Sequence, residues 1–126
     1  MFEDDDPYLG RIRGIALAFT GSAEKVSHGR PTFYTTKIFA YYGASLKVDG
    51  DWVQHPQSLV VQSDPDDRHA LLEEPRVFLP AYLAPSGWIG VDLDSDTDWA
   101  EIAELIDASY RLTAPKRLVA ELDGNG

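Results

Sequence analysis

Residues 29–42 run Gly29-Arg30-Pro31-Thr32-Phe33-Tyr34-Thr35-Thr36-Lys37-Ile38-Phe39-Ala40-Tyr41-Tyr42, and the fold class turns on how this stretch is read. Aromatic and β-branched side chains dominate it, which suits a pleated, half-buried sheet surface better than a helix. The punctuation His28-Gly29-Arg30-Pro31 separates a first short strand, beginning near Glu24, from the strand segments Thr32–Thr35 and Lys37–Tyr42. Gly43 closes the run. Strand alternation sets Lys37, Phe39 and Tyr41 on one face and Ile38, Ala40 and Tyr42 on the other.

The flanks carry a different period. On the N-terminal side, Pro7 precedes Leu9, Ile12, Ile15, Ala16 and Phe19, a helical stripe that predicts a helix over 7–19 with Arg11 and Arg13 off the apolar face. On the C-terminal side, Asp49-Gly50 is a tight-turn dipeptide between Leu46-Lys47-Val48 and Trp52-Val53, predicting a small hairpin. Ser58–Gln62 has the texture of a buried strand, and Asp64-Pro65 opens a short helix through Leu71-Leu72. Val77–Leu83 and Trp88–Leu93 are two more strands, joined by Ala84-Pro85-Ser86-Gly87. Asp98 with Glu101 forms a capping box that introduces a helix over 98–111, and Pro115 starts a last short turn through Leu122. The expected fold is α+β in two layers, an antiparallel sheet of about five strands covered by helices in the order α-β3-α-β2-α. Residues 1–126 are expected to form a single domain, with 1–6 an acidic tail and 123–126 frayed.

Composition narrows the function classes. The chain has no cysteine, which excludes disulfides and thiolate zinc sites. No apolar run approaches the ~18 residues that span a bilayer, and the start Met1-Phe2-Glu3-Asp4-Asp5-Asp6 lacks the bases of a targeting peptide. A cytoplasmic protein without membrane contact is expected. The formal net charge of −10 opposes nucleic acid taken as a whole, yet the charge is uneven. Residues 7–48 carry Arg11, Arg13, Lys25, Arg30, Lys37 and Lys47 against Glu24 alone, whereas residues 49–126 hold sixteen acids against five bases.

That basic segment is also the aromatic one. Phe33, Tyr34, Phe39, Tyr41 and Tyr42 interleave with Arg30 and Lys37 in an interval without acids from Lys25 to Lys47. Single-stranded nucleic acid is held by stacking bases on aromatic rings beside such charges. The candidate contact residues are therefore Arg11, Arg13, His28, Arg30 and Lys37 for phosphates, with Tyr34, Phe39 and Tyr41 for bases. The competing reading packs the aromatics beneath the helices and leaves the bases as a solvated rim.

Other chemistry finds less support. Asp92, Asp94, Asp96 and Asp98 suggest a calcium loop, but the positions that need glycine and glutamate hold Thr97 and Ala103. His28, His55 and His69 have no metal-ligand spacing, Ser109 lies inside a helix and not on a strained elbow, and there is no Gly-rich phosphate loop. No metal, cofactor or catalytic set is expected, and Ser109, Trp88 and Trp99 are read as packing residues.

Three stretches, taken in order, carry a family resemblance. Gly29-Arg30-Pro31-Thr32-Phe33 leads into Lys37-Ile38-Phe39-Ala40, followed by Trp88-Ile89-Gly90-Val91-Asp92-Leu93 and then Asp107-Ala108-Ser109-Tyr110. Together they resemble the MmcQ/YjbR family of small bacterial proteins over about Pro7 to Leu122. The resemblance implies the two-layer α+β fold and a DNA-binding label, and brings no catalytic residues with it. Thr35-Thr36 stands where the family commonly has glycine in the turn. Three functions stay open at this level: a non-catalytic nucleic-acid-binding module with weak, salt-sensitive affinity, a protein-interaction module, and an enzyme acting on a small anion near His28, Arg30 and Lys37.

Overall fold

The computed structural model describes residues 3–27, 29–80 and 86–124, with the backbone alone at 47 and 48. Helix α1 (Pro7–Ala16) begins as the sequence predicts, with Pro7 in its first turn and the Asp6 carboxylate accepting the Tyr8 N–H at 2.9 Å. It stops short of the expected Phe19. The Ala18 and Phe19 N–H groups donate to the carbonyls of Ile15 and Ala16, a tightened turn. Phe19 thereby reaches the rings of Tyr110 and Phe39, at centroid distances of 4.9 and 6.3 Å. Asp4 and Asp6, in the stretch read as an acidic tail, are both engaged: Asp4 pairs with Arg13, and the second oxygen of Asp6 accepts the Tyr42 hydroxyl proton at 2.5 Å. Burial first, and the Asp6 carboxylate second, push the Tyr42 phenol above its ordinary range.

The remaining elements are β1 (Ala23–Ser27), β2 (Arg30–Tyr34), β3 (Ile38–Val48), β4 (Asp51–Gln62), α2 (Pro65–Leu71), β5 (Val77–Phe78), β6 (Trp88–Asp92), α3 (Trp99–Thr113) and α4 (Lys116–Leu122). The strands form one antiparallel sheet in the order β1-β2-β3-β4-β6-β5. Among the described residues, six strands therefore replace the expected five or so. Gly43 does not close its strand: at φ 88° it bends the chain, and pairing resumes at Ala44. Opposite this bend, Tyr42 faces Leu59 while Ala44 faces His55, so Pro56 and Gln57 bulge out of the ladder. Proline has no N–H to lose there. The small hairpin becomes two long strands, closed by Asp49 and Gly50 at φ 51° and 86°, the left-handed pair of a type I′ turn. Strand β5 is shorter than the expected Val77–Leu83. It ends at Phe78, before Pro80, which cannot donate to a ladder; residues 81–83 lie outside the described residues.

A second bulge corrects the predicted faces. Phe33 pairs with Ala40 and Tyr34 with Ile38, so Phe39 is an extra residue in β3. Its side chain turns in with Ala40 and Tyr42, fully buried beneath the helices, and does not share a face with Tyr41. The bulge is tied to α3 by Ser109, whose hydroxyl donates to the Phe39 carbonyl at 2.6 Å and accepts the Gln62 N–H at 3.0 Å. Ser109 is thus a hydrogen-bonding suture as well as a packing residue. Leu9, Ile12, Ile102, Ile106 and Tyr110 complete this core on the helix side of the sheet. The outer side carries a smaller cluster of Ala44, Val60 and Trp88, flanked by Ile38, Tyr41 and Phe78.

Candidate functional site

Register decides which of the basic and aromatic residues meet. Thr32 pairs with Tyr41 and with Lys25, and Arg30, Thr32 and Tyr34 alternate along β2. Lys25, Arg30, Tyr34 and Tyr41 therefore share the outer face of the sheet. The Lys25 ammonium lies 4.7 Å from the Tyr34 ring centroid. Arg30 donates to the Ser45 hydroxyl at a long 3.3 Å and acts electrostatically on Tyr41. Burial raises the Tyr41 phenol above its ordinary range, and the Arg30 charge opposes that rise. The Tyr41 ring meets Trp88 edge to face at 5.3 Å, which fixes its plane.

The other candidates lie elsewhere. Arg11 and Arg13 belong to α1, across the sheet from Arg30. Arg13 holds Glu24 at 2.9 and 3.0 Å and Asp4 at 2.8 Å, and these carboxylates, Glu24 foremost, raise the guanidinium's pKa. Its charge is spent inside the molecule. Arg11 covers the Trp99 ring at 4.6 Å. Phe39 is in the core, Lys37 lies in the bend between β2 and β3 and not in a strand, and His28 is outside the described residues. The residue that sequence reasoning left out is Lys25. Its alternation with Ala23 and Ser27 was available, but only the β1–β2 register places it beside Tyr34.

The aspartates at the end of β6 and beyond it do separate work. Asp92 meets His55 Nδ1 at 2.7 Å, Asp94 accepts the Asp96 N–H at 2.8 Å, and Asp98 caps α3 through the Ala100 and Glu101 N–H groups. The predicted capping box is half made. Glu101 turns instead toward Glu74 in a cleft of about 450 Å³ that Asp92 and Asp98 also line. Desolvation first, then the Glu74 charge and a hydrogen bond to that carboxyl, raise the Glu101 pKa. A carboxyl whose folded pKa lies above its unfolded value (about 4.3) destabilises the fold once pH exceeds the folded pKa, and not below the unfolded one. Glu101→Gln is therefore expected to raise the melting temperature at pH 7 relative to the parent, with the gain vanishing near pH 4. Thermal melts across that range check it.

A family model described as YjbR matches residues 17–112. Among solved structures, the chain is similar to a crystal structure of a Deinococcus radiodurans protein with a DUF419 domain. The two share 22% sequence identity and superpose with a TM-score of 0.65 over 91% of this chain and 87% of that one. None of the curated proteins matches the sequence.

Proposed function

The chain belongs to the YjbR family, and on that footing we propose that it is a nucleic-acid-binding module working through the outer face of β1–β3. One observation carries this reading. Lys25, Arg30, Tyr34 and Tyr41 share that face, while Glu24, the only acid in residues 23–48, is turned away into its ion pair with Arg13. The tyrosines are half-buried, so each keeps a fixed ring and an accessible part. Stacking a base on such a ring contributes about 1–3 kcal/mol, with Lys25 and Arg30 placed to meet the adjoining phosphates.

The net charge of −10 works against approach, so the affinity is weak. Charge counting gives a quantitative signature. Two neutralised phosphates on a single strand give a slope of log K against log salt of about −1.4, whereas six converging bases would give about −4. Fluorescence-anisotropy titration of short single- and double-stranded DNA at several salt concentrations tests this. Binding with the shallow slope, lost in Lys25→Ala/Arg30→Ala and kept in Arg11→Ala, is the expected result. Absence of binding at low salt, or binding that survives the double substitution, contradicts it; the former outcome would leave the face to an acidic protein partner.

A further inference from the structure

Strand β1 closes the sheet on one side with five residues, and β5 closes it on the other with two. An open edge is a template for another chain, and folds guard it by shortness, proline, a bulge or charge. The β5 edge is short and is followed closely by Pro80. The β1 edge has ordinary length, contains no proline and pairs with β2 in unbroken register. Its charges are turned elsewhere, Glu24 into the Arg13 ion pair and Lys25 over the Tyr34 ring at 4.7 Å. We infer that β1 pairs antiparallel with the β1 of a second copy, joining two sheets into one in a weak two-fold dimer.

The polarity of β2 decides what β1 offers at its outer side. The Thr35 N–H donates to the Lys37 carbonyl at 3.0 Å, toward β3. By alternation Phe33 and Pro31 point the same way, and Arg30, Thr32 and Tyr34 bond β1 through their partners Ser27, Lys25 and Ala23. The N–H and C=O groups of Glu24 and Val26 therefore point away from the sheet, and no backbone partner meets them among the described residues. Val26 is 59% exposed, more than any other large hydrophobic residue described.

Charge selects the register, and with it the occupant. Pairing centred on Lys25 would oppose lysine to lysine, and pairing centred on Glu24 would oppose glutamate to glutamate, each destabilising. Centred on Val26, it sets Val26 against Val26 and Lys25 against Ser27, with no like charges opposed. The central pair then exchanges both of its outward backbone bonds and brings the two exposed side chains together. A contact of this size lies at the small end of interfaces, and two chains of net charge −10 repel each other. Association therefore needs high protein concentration and strengthens as salt screens the repulsion. Nucleic-acid binding has the opposite salt dependence, so the two proposals can fail independently.

Sedimentation velocity on the full chain, from micromolar to millimolar concentration at low and high salt, is the test. A monomer–dimer equilibrium that moves toward dimer as salt is added is the expected result. Val26→Pro removes an N–H that β2 does not use, so it should keep the far-ultraviolet circular dichroism and weaken the dimer about tenfold or more. Val26→Lys and Val26→Glu should each stay monomeric alone and associate when mixed. Only a pairing that sets residue 26 against residue 26 turns two repulsions into one attraction. These two variants change an exposed side chain, so they read the contact even where proline strains β1. A parent chain that stays monomeric at millimolar concentration and high salt overturns the proposal and leaves the edge to an extended segment of another protein. A dimer undiminished in Val26→Lys, or charged variants that ignore each other on mixing, overturns it equally.

Discussion

Replacing Ser109 by alanine is expected to destabilise the fold by about 2–4 kcal/mol, because the Phe39 carbonyl, in a buried hydrogen bond, and the Gln62 N–H, in a partly buried one, both lose the hydroxyl that partners them. The bulge at Phe39 takes that carbonyl out of register, and the Gln62 N–H closes β4 just where α2 is about to begin. One hydroxyl, itself fully buried, donates to the first and accepts from the second. Alanine keeps the helix and removes little volume, so packing loss is a minor part of the effect. Urea denaturation is the direct measurement, and the midpoint should fall with an unchanged slope, since the same surface is exposed on unfolding. A loss below about 0.5 kcal/mol, the range of an ordinary surface change, would mean that Ser109 is a packing residue only.

Phe39→Ala should cost still more, about 3–5 kcal/mol, the range for emptying a buried aromatic site. Its ring is fully buried and meets Tyr110 edge to face at 5.5 Å and Phe19 at 6.3 Å. The whole stability of a domain of this size is roughly 5–15 kcal/mol, so this variant stands near the edge of folding. Tyr34→Ala makes the informative contrast. Tyr34 is half-buried on the outer face with the Lys25 ammonium over its ring, so its loss should cost less than about 1 kcal/mol while weakening DNA binding. Equilibrium unfolding and anisotropy on the same two variants separate an aromatic that holds the core from one that meets a ligand. Sequence alternation placed Phe39 with Tyr41; the opposite pattern of effects in the two assays would restore that placement.

These two residues also mark where the sequence stopped being legible. The helices could be read because their signals are local: Asp6-Pro7, Asp64-Pro65 and Asp98 each cap the helix that follows, and apolar spacing gives the buried faces. The turn at Asp49-Gly50 was equally local. Strand alternation is not protected in the same way, because one extra residue inverts every side chain beyond it. The bulge at Phe39 does so without a glycine or proline to mark it. The one at Pro56 does carry a mark, since a proline inside a run of strand residues demands an irregularity. Gly43 was recognised as a break when it is a bend.

The candidate surface was half legible for a related reason. The acid-free interval from Lys25 to Lys47 pointed to β1–β3, and Arg30, Tyr34 and Tyr41 do share a face there. Whether a base is available depends on contacts distant in sequence, which composition does not report. Arg13 meets Glu24 and Asp4 only once β1 has folded against the end of α1, and Lys25 reaches Tyr34 only through the register of a neighbouring strand.

The central claim is that nucleic acid meets the outer face of β1–β3 and not the helix layer. The direct measurement follows the single-strand titration residue by residue, in amide NMR spectra of the full chain at low salt. The account predicts that signals of Lys25, Arg30, Thr32, Tyr34 and Tyr41 move together and return as salt is added, while those of Arg11 and Arg13 in α1 stay in place. Movement centred on α1, or no movement of the β1–β3 signals at all, would contradict it.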